Sequence, residues 1–133
     1  MPIDYQESVT GVGADDLAGF FDGWPQPPSA ESRLALLRGS SEVIVARESE
    51  SGAVVGFITA VGDGVLCAYI PLLEVLAAYR GQGIGSELVR RMLARLEPLY
   101  MIDLLCDREL QGFYRRLGFS EATGMMRRDR AAL

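Results

Sequence analysis

The residues with the clearest potential for chemistry are Arg80-Gly81-Gln82-Gly83-Ile84-Gly85. An apolar, strand-like run ends at Tyr79 just before them, and an apolar-striped helix follows. Strand, glycine-rich turn and helix N-terminus in that order make an anion site. The first helical N–H groups lack intrahelical partners, and the helix dipole adds partial positive charge there. Glycines at 81, 83 and 85 let a ligand's phosphates approach the backbone with no Cβ in the way. The stretch therefore reads as a cradle for the pyrophosphate of a nucleotide cofactor.

Two absences narrow the chemistry. The chain has no histidine, which excludes a Ser-His-Asp triad, a His-based zinc site and a histidine general base. It has no lysine either, which removes the P-loop and Schiff-base chemistry. A dinucleotide fingerprint fails on spacing, because Ser86 and Leu88 stand where its third glycine is required. Asp103 lies at a suitable distance for a ribose contact but falls inside a strand run, and the chain holds one βαβ unit rather than several. The net charge of −5 argues against a nucleic-acid binder. Cys67 and Cys106 are too few for a disulfide scaffold or zinc site and read as buried thiols. No metal site is expected.

The elements that must position the turn are legible from pattern. A chain of 133 residues is one domain, expected over 1–133. No apolar run reaches a membrane span and no leader opens the chain, so a cytoplasmic location with no membrane partner is the expectation. Residues 3–8 read as a strand, and 14–21 as a short helix with Leu17, Phe20 and Phe21 on one face. The Gly23-Trp24-Pro25-Gln26-Pro27-Pro28 stretch breaks it; Trp24 is either a substrate lid or a ring packed over the core edge. Ser29 is a plausible N-cap for a second helix ending near Gly39. Strand runs at 42–48, 53–61 and 65–76, joined by short Gly/Ser/Asp turns, predict antiparallel hairpins. Pro71 predicts an edge or a bulge. Ile84, Leu88, Met92 and Leu96 stripe the next helix. A strand at 101–106 completes a parallel crossover. A last helix over 109–117 ends at Gly118, and 119–128 reads as one or two short strands.

Leu73-x-Val75 followed by Tyr79-Arg80-Gly81-x-Gly83-Ile84-Gly85 resembles the GNAT superfamily of acyl-CoA-dependent N-acyltransferases. The family signature Arg/Gln-x-x-Gly-x-Gly/Ala is met by Arg80, Gly83 and Gly85. A second motif, Phe113-Tyr114-Arg115-Arg116-Leu117-Gly118-Phe119, looks like the family's FYxxLGF segment. The order of elements agrees over essentially the whole chain. Two positions depart: Ala77 stands where proline is frequent, and Asp107 where a cofactor-contacting asparagine is frequent. An ionised aspartate cannot donate a hydrogen bond.

The resemblance implies an α+β GNAT fold: a mixed, mostly antiparallel twisted sheet of six to seven strands, about four helices and one parallel strand-helix-strand crossover. It implies acetyl-CoA as cosubstrate, with pyrophosphate on Arg80, Gly81, Gln82, Gly83, Ile84, Gly85 and Ser86, and the pantetheine arm along Leu73, Val75 and Leu76. An N–H near Val75 would stabilise the oxyanion, and Tyr114 would be the general acid. The general base is either a carboxylate or a water relay. Glu74 is the nearest carboxylate, although strand alternation puts it on the face opposite Leu73 and Val75; Glu42 and Asp103 are weaker candidates. The implied activity is acetyl transfer to a primary amine, a small molecule or a peptide N-terminus, by direct attack in a ternary complex. The alternative is a catalytically silent acyl-CoA-binding or regulatory module of the same fold. Homodimerisation is common in such proteins.

Overall fold

The computed structural model describes residues 2–132. Five strands, β1 (Ile3–Gln6), β2 (Glu42–Glu48), β3 (Val54–Gly62), β4 (Cys67–Val75) and β5 (Met101–Asp103), form one sheet in sequence order. The first four pair antiparallel; β4 and β5 pair parallel. The α-helices are α1 (Ala30–Gly39), α2 (Ile84–Arg95) and α3 (Gln111–Arg115). No described helix is long and apolar enough to cross a membrane.

The sheet is covered on both faces, which is why β2 and β3 are apolar at successive positions instead of alternating. On one face Ile44, Ala46, Ile58 and Ala60 pack against Ile84, Leu88, Val89 and Met92 of α2. On the other, Val43, Val45 and Phe57 pack against Leu17, Phe20, Phe21 and Leu37. Ser29 caps α1, its Oγ accepting the Ser32 N–H at 3.2 Å. The β3–β4 hairpin is closed by Asp63, whose Oδ1 accepts the N–H groups of Val65, Leu66 and Cys67 at 2.8, 2.8 and 3.2 Å. Those donors hold the Asp63 carboxyl down at about 2.

The sheet has five strands among the described residues rather than six or seven, and there are three α-helices rather than four. The stretch at 14–21 forms only a 3-10 turn at Ala14–Leu17, because Phe21 takes a φ of 64° and Gly23 one of 82°, turning the chain away. The last helix begins as a 3-10 turn, Arg108–Leu110, before α3. Residues 104–106 leave the ladder because β5 pairs with β4 only through Asp103. Residues 120–128, ending in consecutive arginines, lie exposed without forming a strand. Cys67 and Cys106 are free thiols but half-buried rather than buried.

Candidate active site

The site forms where β4 and β5 part. They pair from Cys67–Tyr69 to Met101–Asp103 and then separate. The parting coincides with a bulge in β4: Thr59 pairs with Leu72 but Val61 with Tyr69, so Ile70 and Pro71 together face Ala60. Pro71 has no N–H to give a ladder. Beyond the bulge the Leu76 N–H donates to Val55 O at 2.9 Å. Alternation then turns the Glu74 backbone toward β3 and the N–H groups of Leu73 and Val75 toward the gap. Leu76, by contrast, has its N–H committed to β3 and its side chain in the α1-side core.

The glycine turn meets this gap at Val75. Arg80 Nε donates to Val75 O at 3.0 Å, and a Cβ on Gly85 would lie 3.9 Å from Val75 Cγ2 and 3.7 Å from Phe113 Cζ. Both are ordinary van der Waals distances, so Gly85 lies beside β4 and α3 in a place that would also accept a methyl group. Gly81 and Gly83 have φ of 78° and 85°, the left-handed region that favours glycine, and a Cβ on either would meet nothing within 4 Å. From Gly81 to Ser86 no N–H has a backbone or side-chain acceptor among the described residues; the first bonded N–H is that of Glu87, to Gly83 O at 3.1 Å. Six consecutive free donors, with Gln82 at the exposed tip and Ile84 anchored in the core, are the features an anion cradle requires.

Tyr114 stands across the gap on α3. Its ring is 9% exposed, edge-on to Phe113 at 4.9 Å and Phe119 at 5.7 Å. Burial, with a smaller contribution from Cys106, pushes its hydroxyl up to about 12. The Tyr114 side chain lines a cavity of about 950 Å³ together with Tyr69, Asp103, Leu104, Cys106 and Phe119.

Glu74 occupies the other face of β4, as its alternation requires. Oε1 accepts the Phe21 N–H at 3.0 Å, while Oε2 is buried with no partner. Burial raises its pKa; the Phe21 N–H, Arg80 and Arg33 pull the other way without cancelling it. Glu42 is bonded to Arg95 at 2.8 and 3.1 Å, and Asp107 is exposed. Trp24 packs edge-on against Phe21 at 5.1 Å and remains 41% exposed, so its ring rests on the core edge and also borders open space.

Sequence reasoning missed the residues that set this loop. Arg33 donates to Pro28 O, Leu17 O and Ala18 O, each at 3.0 Å, and lies over the Phe21 ring at 5.4 Å. These bonds staple the loop that carries Phe21 and Trp24. An arginine on a helix reads as solvated until its partners, 15 or 16 residues away, are placed. Among the described residues no group of three or more His, Cys, Asp or Glu side chains could hold a metal ion.

Residues 11–119 match the acetyltransferase (GNAT) family. A proposed acetyltransferase from Deinococcus radiodurans R1 superposes with a TM-score of 0.91 at 46% identity, over 95% of this chain and 87% of that one. Serotonin N-acetyltransferase 2, chloroplastic, of Oryza sativa subsp. japonica is 32% identical over 120 residues, 86% of this chain and 60% of that protein. Glucosamine 6-phosphate N-acetyltransferase 1 of the same plant is 32% identical over 117 residues, 77% of this chain and 71% of that protein. The chain is thus shorter than the curated relatives it matches.

Proposed function

The chain belongs to the GNAT acetyltransferase family, and from that membership we propose that it moves an acetyl group from acetyl-CoA to a primary amine by direct attack in a ternary complex. The observation that carries the reading is the run of free N–H groups from Gly81 to Ser86, ending beside the strand gap at Val75. The donors fit a pyrophosphate, and the gap-facing N–H groups of Leu73 and Val75 fit an extended amide-bearing arm. Acetyl-CoA supplies an activated acyl group as a thioester.

The chain's own residues divide the work. A gap-facing N–H at Leu73 or Val75 stabilises the negative charge that develops on the thioester carbonyl oxygen. A C–N bond forms, the C–S bond breaks with its electron pair on sulfur, and one proton leaves the amine. Glu74 Oε2, or a water relaying to it or to solvent, takes that proton. Tyr114 hydrogen-bonds the departing sulfur and donates toward it. A thiol titrates near 8.5, well below the Tyr114 value of about 12, so full transfer from the phenol is uphill. Its main contribution is therefore the hydrogen bond, and the phenol stays protonated across the working range. Arg80 places charge beside the phosphates while tying down Val75.

Thermal shift with CoA tests the cofactor site. Ligand at 100 times its Kd stabilises by about 2.7 kcal/mol, roughly a 10 °C rise in midpoint for a domain of this size. No shift with saturating CoA or acetyl-CoA would sink the reading. Release of free CoA thiol across an amine panel then separates an enzyme from a silent binder. On an active amine, Tyr114→Phe is expected to lower kcat about 100-fold with KM for acetyl-CoA little changed. An unchanged kcat removes Tyr114 from the mechanism.

A further inference from the structure

Cys67 and Cys106 are both half-buried free thiols, but their surroundings differ. The Cys67 S–H donates to Asp63 Oδ2 at 3.7 Å. Burial raises the Cys67 pKa, and the charges of Asp63 and Asp103 raise it further. Cys106 instead lines the cavity of about 950 Å³ that Tyr114 borders, and Cys67 does not.

Strand register puts Cys106 at the gap. Tyr69 pairs with Asp103 before β4 and β5 part. Three residues on from that pair, and allowing for the extra residue in the β4 bulge, Cys106 comes level with Leu73. Leu73 carries one of the N–H groups that face the gap, and Leu73, Cys106 and Tyr114 pack into one cluster on the α2 side of the sheet. Only 9% of Tyr114 is exposed. Burial and the nearby Cys106 sulfur act on its hydroxyl, and no hydrogen bond does. A buried hydroxyl without a partner bears a desolvation cost, so one that borders a cavity marks a place for a ligand atom. In the transferase reading that atom is the sulfur of coenzyme A. Cys106 then stands beside the same sulfur.

We propose that Cys106 is a modification site that captures coenzyme A as a mixed disulfide, with the disulfide of coenzyme A as the oxidant. This inference rests on the cofactor site of the transferase reading. The Cys106 thiol gives its proton to solvent, and the thiolate attacks the sulfur of the bound half. A new S–S bond forms to Cys106 Sγ. The old S–S bond breaks with its electron pair on the other sulfur, which leaves as coenzyme A thiolate and takes up a proton. Cys106 is oxidised and the small disulfide is reduced. The leaving half extends into the cavity. The free N–H groups from Gly81 to Ser86 hold the pyrophosphate of the bound half, which raises the local concentration of its sulfur at Cys106. Glutathione disulfide brings no pyrophosphate and gains nothing from them. While the adduct lasts, acetyl-CoA has no room to bind, and a thiol reductant restores the site.

The test incubates the full chain with coenzyme A disulfide at mildly alkaline pH, where thiolate is the attacking species, and follows intact mass. The expected product carries one coenzyme A per chain, maps to the Cys106 peptide and is lost on adding dithiothreitol. It should form about 10-fold or more faster than the adduct from glutathione disulfide, and saturating acetyl-CoA should slow it. Cys67→Ser should label as the native chain does, and a folded Cys106→Ser protein should take up none. Labelling that falls equally on Cys67, that runs as fast with glutathione disulfide, or that acetyl-CoA does not slow overturns the inference. No adduct on a protein whose melting midpoint CoA raises also overturns it and leaves the cofactor site standing. Neither adduct nor CoA shift overturns both.

Discussion

Glu74 has two tasks that pull in different directions. One oxygen holds the Phe21 N–H, fixing a residue at a φ of 64°, and the other is buried and free. Non-glycine residues reach that backbone region at a cost, so the bond is part of what keeps the loop in place. Because burial raises its pKa, the folded state binds the Glu74 proton more tightly than the unfolded chain does. Stability from this group is complete below the unfolded value of about 4.3 and is lost as pH rises through the raised folded value. Glu74→Gln, whose amide oxygen can still accept from Phe21, should therefore melt higher than the native protein at pH 7–8, with the difference shrinking below pH 4. The same variant should lose transfer activity, with the native rate rising as Glu74 ionises. Melting curves and kcat/KM against pH check both; a variant that melts higher yet retains full activity points to a water relay instead of Glu74.

At the scale of elements, the decisive unit is β4, the glycine turn and α2 taken together. The bulge at Ile70–Pro71 precedes the parting from β5, Arg80 pins the strand end, and Gly85 brings the start of α2 beside Val75 and Phe113. Gly83 caps α2 from the left-handed region. Gly83→Ala meets no steric obstacle in the protein itself, since a Cβ there has open space. Its folding penalty comes from the backbone and is about 1–2 kcal/mol. In the proposed cofactor site, that open space is the one the phosphate oxygens occupy. The variant should keep its fold with a modestly lower midpoint and lose most of the CoA-dependent shift. A full CoA shift would place the pyrophosphate elsewhere.

For the whole molecule, the sheet ends on β5, a short edge strand with no neighbour beyond it among the described residues. Exposed apolar side chains gather in and around that edge: Tyr100 (86%), Met101 (39%), Leu105 (45%), and Met125 and Met126 in the tail (97% and 69%). An exposed strand edge offers unpaired backbone groups to another chain, and a grouped apolar surface favours being covered. A homodimer formed across this edge is the expected state in solution. Light scattering on a size-exclusion peak should read about twice the 14.5 kDa chain mass, and Met101→Lys should return it to monomer. A monomer at tens of micromolar counts against this edge as an interface.

Local pattern determined most of the scaffold. Ser29 as a cap, β2 at Glu42–Glu48, the hairpin at Asp63, the Pro71 bulge and the α2 stripe all follow from short-range rules, because each rests on neighbours within a few residues. The glycine turn was readable for the same reason: positive φ and free N–H groups are properties of consecutive residues. Where the rules failed, the outcome depended on a distant partner. Residues 104–106 continue an apolar run but have no strand beside them to complete a ladder, and 119–128, split by Gly124, forms no strand either. Arg33 as the staple of the Trp24 loop, Glu74 bound to Phe21 53 positions away, and Thr59 beside Glu74 across a strand pair are invisible until the chain is folded. The glycine turn and the family motifs alone pointed to a coenzyme A site, whereas the wall shared by β3, β4, α1 and the Trp24 loop exists only once packing has brought them together. Consecutive backbone donors are written in consecutive residues, but a cavity is written in none of its walls.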